Sequence, residues 1–122
     1  MTMPSMTMLY VTQPERSAAF YQRLLGQPPV ELSATFALFV LSNGFKFGLW
    51  AADGVEPAPQ ATGGGAEICI SCEQPQQVDA LYRQWQTLGG VHCHTPAQMD
   101  FGYTFVAEDP DGHRLRVYHL NA

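Results

Sequence analysis

The chain has 122 residues and a mass of 13.5 kDa, enough for one compact domain or two very small ones sharing a core. Six cations against eleven acids give a net charge of -5, which argues against nucleic-acid binding. Three cysteines (Cys69, Cys72, Cys93) are too few and odd in number for a disulfide framework, and no apolar run reaches the roughly 18–20 residues of a membrane span, so a cytoplasmic protein without membrane attachment is expected.

In chain order, Met6–Val11 reads as a short strand and residues 14–25 as a helix. Thr12 is the candidate cap of that helix, Ser17, Phe20, Tyr21 and Leu24 its buried face, and Gly26 its terminator. Three β-rich runs follow at about 30–33, 36–41 and 46–51. Asn43-Gly44 between the last two signals a type I′ hairpin turn, whose central positions both need positive φ. Residues 53–65, rich in Pro, Gly and Ala, read as a linker. A second strand at 67–72 leads into the clearest helix, in which Val78, Leu81, Tyr82, Trp85 and Leu88 form one apolar stripe. Pro75 sits at its first turn, and Gly89-Gly90 is expected to stop it. Strand runs at 91–95, 103–107 and 113–119 complete the chain, with Asp109-Pro110-Asp111-Gly112 as the matching turn.

The two halves repeat. A shift of 61 residues lays Gln13-Pro14 on Gln74-Pro75, Ala19 on Ala80 and Tyr21 on Tyr82. A shift of 68 lays Asn43-Gly44 on Asp111-Gly112 and Trp50 on Tyr118. The expected fold is therefore α+β in a single domain of 1–122. Two tandem βαβββ modules, about 4–52 and 66–122, build a cupped, mostly antiparallel sheet with its helices on the outer face. Strand alternation then sorts the residues. Met6, Met8, Tyr10, Lys46, Gly48 and Trp50 face the cup from the first module. Glu67, Cys69, Ser71, Arg114, Arg116 and Tyr118 face it from the second.

The pattern Tyr10-Val11, Ser17-Ala18-Ala19-Phe20-Tyr21 and Leu25-Gly26, with Glu108-Asp109-Pro110-Asp111-Gly112 before the last strand, resembles the glyoxalase / bleomycin-resistance / extradiol-dioxygenase (vicinal oxygen chelate) superfamily. The resemblance covers nearly the whole chain and implies the paired-module fold and a homodimer. It also implies a divalent metal held from the first and fourth strands of each module. Those positions are here Met6, about Gly48, Glu67 and Arg116, of which only Glu67 is a suitable donor. No metal and no cofactor are therefore expected. Glu67 and Arg116 are expected to pair instead, either satisfying each other or contacting a ligand.

His92-Cys93-His94 projects both imidazoles from one face of a strand, as a chelate requires, but no Cys or His lies at ligand spacing nearby. It reads as a solvated strand. Cys69 and Cys72, three apart on a strand, read as buried structural thiols rather than a redox pair. Trp50, Tyr10, Tyr118, Phe101 and Tyr103 are the aromatic candidates for stacking a flat ligand, or for a dimer seam. Asp100-Phe101-Gly102-Tyr103 reads as a loop over the cup, with a glycine that permits movement.

The function expected is a metal-independent small-molecule binding protein of the bleomycin-resistance type. It would sequester a planar or amphipathic compound, such as an antibiotic, through Tyr10, Trp50, Glu67, Phe101, Tyr103, Arg116 and Tyr118, with no catalytic residue. The rival reading is a metal-dependent lyase, isomerase or dioxygenase with displaced ligands, or one using Glu67 as base; a small-molecule sensor is a third. If Lys46 and Arg114 line the cup rather than its rim, they and Arg116 against Glu67 make it basic, favouring a neutral or anionic ligand.

Overall fold

Both helices start at a Gln-Pro pair because proline needs no hydrogen-bond partner for a missing N–H and presets the helical φ. The computed structural model, which describes residues 2–89 and 91–122, places α1 at Pro14–Leu25 and α2 at Pro75–Gln86. Proline also forces the residue before it into extended backbone. Gln13 and Gln74 are accordingly the N-caps, at φ -137° and -134°. Thr12 is thus not the cap of α1; its hydroxyl accepts a hydrogen bond from Arg16 Nη2 at 3.1 Å. At α2 the Gln77 side chain accepts from the Gln74 N–H at 2.9 Å. Gly26 ends α1 in the left-handed region, φ 76°. The second helix stops earlier than its glycines, with Thr87 as C-cap and its hydroxyl donating to the Gln84 carbonyl. Gly90 lies outside the described residues.

The chain divides between Thr62 and Gly63, within the expected linker, into two compact units. In the first, β1 (Met6–Val11), β2 (Glu31–Leu32), β3 (Phe36–Val40) and β4 (Lys46–Ala51) form a mixed sheet of order β1-β4-β3-β2. In the second, β5 (Glu67–Ser71), β6 (His92–Cys93), β8 (Gly102–Glu108) and β9 (Arg114–Leu120) run in the order β5-β9-β8-β6. A further short strand, β7 (Ala97–Gln98), pairs with β8 and was not foreseen from sequence. One pair per unit is parallel, β1 with β4 and β5 with β9; the others are antiparallel. Met6 stands opposite Lys46, and Glu67 opposite Arg114. The two sequence shifts are therefore the two partners of one equivalent strand pair.

Each helix covers one face of its own sheet. Phe20 and Tyr21 of α1 are buried with Phe39, Phe47 and Leu49, the Tyr21 and Phe47 rings 4.7 Å apart. In the second unit Trp85 is buried edge-on against Phe105 at 5.4 Å, beside Val78, Leu115 and Val117. Burying a side chain of this size is worth about 1.5–3 kcal/mol.

The two hairpin turns share one geometry, and it is not type I′. Among the described residues no non-glycine has positive φ, so Asn43 stays right-handed and only Gly44 is left-handed, at φ 87°. The Gly44 N–H donates to the Leu41 carbonyl and the Leu41 N–H to that of Phe45, a type I turn closed by a glycine bulge. The Asn43 side chain accepts from the Phe45 N–H, which holds Asn43 in that conformation. Gly112, at φ 83°, repeats the arrangement, with Asp109 Oδ1 accepting from the N–H groups of Asp111 and His113.

Candidate functional site

In each unit the face away from the helix carries the residues that alternation assigns to it. On the first, β1 and β4 place Met8 opposite Gly48 and Tyr10 opposite Trp50. The Tyr10 and Trp50 rings meet edge-on at 6.4 Å. A Cβ at Gly48 would come 2.8 Å from the Met8 sulfur and methyl, so the thioether occupies the space a side chain at 48 would need.

On the second unit's open face Arg116 is the hub. Its Nε donates to Glu67 Oε1 and its Nη2 to Oε2, both at 2.8 Å, a two-pronged fork. Its Nη1 donates to Thr104 Oγ1 at 3.3 Å, and the Thr104 hydroxyl in turn donates to the Val117 carbonyl. The guanidinium also lies 5.9 Å from the Phe101 ring centroid. These bonds use three of five guanidinium N–H groups and leave two for a ligand. The hydrogen bonds from Arg116 hold the Glu67 carboxyl below its ordinary range, aided by the charges of Arg116 and Arg114 and opposed by burial. A carboxylate so held is a weak general base. Beside the fork lies a shallow cavity of about 230 Å³, lined by His94, Met99, Thr104, Val106, Arg114 and Arg116.

Tyr118 stands opposite Ser71 and Thr104 on this same face, half-buried. Phe101 is 42% exposed at the tip of the β7–β8 hairpin. Tyr103 departs from expectation. It pairs with His119 across β8 and β9, which puts it on the helix side, and its hydroxyl donates to Asp79 Oδ1 of α2 at 2.6 Å. It therefore lies apart from Arg116, Phe101 and Tyr118. The parity of β8 follows from Phe105 and Ala107, which fill the core, so Tyr103 must share their side.

Gly102 is also not a hinge. It is a buried β8 residue where a Cβ would fall 2.0 Å from the His119 carbonyl oxygen, so glycine is there to let β8 and β9 approach. The expected pair of buried thiols is corrected too. Cys69 is exposed on the open face, because it alternates with Ile68 and Ile70, while Cys72 is half-buried and its thiol is pushed up by burial.

Sequence reasoning missed Glu108. The β6–β8 register sets it opposite His92, and His94 Nε2 donates to Glu108 Oε2 at 2.7 Å. The hydrogen bond to His94 keeps the Glu108 carboxyl low. Only strand pairing brings these groups together, so no spacing in the chain reveals them.

The four positions of the expected metal site do not fit a metal. Met6 offers a soft thioether, Gly48 offers nothing, and both oxygens of Glu67 are taken by the guanidinium that stands at the fourth position. Among the described residues no helix is long and apolar enough to cross a membrane.

The phenazine antibiotic resistance protein EhpR of Enterobacter agglomerans is 31% identical over 121 residues, 97% of this chain and 92% of that protein. The solution NMR structure of an Agrobacterium tumefaciens protein is 51% identical, covers the whole of both chains and matches with a TM-score of 0.91. The crystal structure of a glyoxalase/bleomycin resistance protein from Albidiferax ferrireducens T118 is 26% identical over 98% of this chain and 100% of that one, with a TM-score of 0.73. With a βαβββ unit followed by a second that β7 extends to five strands, and a family match over residues 4–117, the chain belongs to the Glyoxalase/Bleomycin resistance protein/Dioxygenase superfamily.

Proposed function

We propose that the protein binds and sequesters a small, planar, neutral or anionic compound of the antibiotic type, without metal and without chemistry. The Glu67–Arg116 fork carries this reading. It replaces a metal-binding carboxylate with a locked ion pair and leaves guanidinium donors beside a cavity. Phe101 and Tyr118 supply aromatic surface near those donors. Tyr103 drops out of the proposed contact set. The relative from Enterobacter agglomerans is a phenazine antibiotic resistance protein, and phenazines are flat fused aromatics, which supports a planar ligand. Three free thiols support a reducing, cytoplasmic setting. Exposed Val30, Leu32, Met99 and Leu120 support association of two copies.

The test is a thermal-shift and fluorescence panel of flat aromatic compounds on EDTA-treated protein. A ligand at a hundred times its Kd stabilises by about 2.7 kcal/mol. An aromatic carboxylate should bind more tightly than its methyl ester, the advantage should shrink in high salt, and Phe101→Ala should weaken the stacking contribution. No stabilisation by any neutral, anionic or cationic scaffold, or binding that requires added metal, would sink the reading.

A further inference from the structure

His92 and His94 alternate with Cys93 along β6 and its continuation, so both imidazoles leave the sheet on one side. Cys93 stands opposite Ala107 on the other side and is half-buried, which removes its thiol from the group. Glu108 stands opposite His92 in the β6–β8 register and projects to the imidazole side. One donor atom from each of His92, His94 and Glu108 lies within 4.8 Å of the others. The two imidazoles meet edge to face with centroids 4.8 Å apart.

We propose that His92, His94 and Glu108 form a binding site for a divalent cation of the zinc class, at a place in the sheet unrelated to the four superfamily positions discussed above. The donor set carries the proposal: two imidazoles and one carboxylate suit a borderline cation such as zinc, nickel or copper(II). Zinc bonds of about 2.0–2.1 Å at tetrahedral angles hold donors roughly 3.3–3.4 Å apart. Closing the present group to that spacing takes shifts of about 1 Å, within the reach of side-chain torsions. Nothing in the core resists them, because the side chains of His94 and Glu108 are 51% and 32% exposed. The cation takes the place of the proton now shared between His94 Nε2 and Glu108 Oε2.

Three protein donors leave at least one coordination position open to water or a ligand atom. His94 also lines the cavity beside Arg116, so the cation stands at the cavity rim. Arg114, opposite Glu108 across β8 and β9, is a positive charge set against it. That neighbour makes the site weaker than its donors alone would be, and gives it a signature. The site stands independently of the small-molecule reading, which needs no metal.

Tag-free protein stripped with EDTA is titrated with zinc chloride by calorimetry and with cobalt(II) by absorption. The expected result is saturable one-to-one binding, with cobalt ligand-field bands of nitrogen and oxygen donors and no thiolate charge-transfer band. His92→Ala and Glu108→Gln should each weaken zinc binding roughly tenfold or more, and Arg114→Ala should tighten it. Circular dichroism establishes that each variant is folded. A thiolate charge-transfer band, or zinc affinity unchanged in the folded His92→Ala/His94→Ala double variant, overturns the proposal.

Discussion

A single arginine decides what the open face of the second unit can do. Arg116 turns Glu67 from a metal donor into half of an ion pair, and still has N–H groups to offer. Because Glu67 titrates below its ordinary range in the folded protein, the pair stabilises above about pH 4, the unfolded value, and that stabilisation is lost as pH falls through the folded value. Arg116→Met should cost about 1–2 kcal/mol at neutral pH, since the pair is mostly but not fully shielded. Urea unfolding of both proteins near pH 7 and near pH 3 measures it; the gap should narrow in acid, and an equal gap at both would refute the linkage. Strand parity put both residues on one face, because Ile68, Leu115 and Val117 fix which way their neighbours point, but Arg114 shares that parity and stands opposite Glu67, so it was the resemblance that singled out Arg116.

At the level of elements, both helices, the Gly26 terminator and eight of the nine described strands were legible, while the N-cap of α1, the end of α2 and β7 were not. The apolar stripes of α1 and α2 and their Gln-Pro starts are local signals, read within one turn. Tyr103 shows where local reading fails. Its place was taken from a supposed loop at 100–103, yet residues 102–108 are one strand whose parity Phe105 and Ala107 set. The hydrogen bond to Asp79, with burial and the charge of that carboxylate, pushes its phenol up. Tyr103→Phe should therefore cost about 0.5–1.5 kcal/mol in urea unfolding and leave ligand affinity unchanged. A fall in affinity without loss of stability would return Tyr103 to the binding surface.

For the whole molecule, the repeat explains more than the composition does. The acidic net charge gave no hint that Lys46, Arg114 and Arg116 share the open-face parity of their strands. Two small units, each with one helix on one sheet face, leave apolar side chains such as Leu32 and Leu120 exposed. The homodimer we propose should give a light-scattering mass about twice 13.5 kDa that is insensitive to EDTA. A monomer at all concentrations would remove the dimer from the reading and leave ligand binding to be judged separately.

The sequence by itself determined the duplication, the element order of each half apart from β7, and the faces of β1, β4, β5 and β9. These rest on patterns within a few residues and on two repeat offsets. Only the tertiary structure decided the turn type at Asn43-Gly44, the close approach at Gly102, the side taken by Tyr103 and the meeting of Glu108 with His92 and His94. The turn is settled by local hydrogen bonds that hold Asn43 right-handed, the side of Tyr103 by where β8 begins, and the other two by the register between paired strands. A register shift of one residue turns every side chain to the opposite face, and local propensity does not set it.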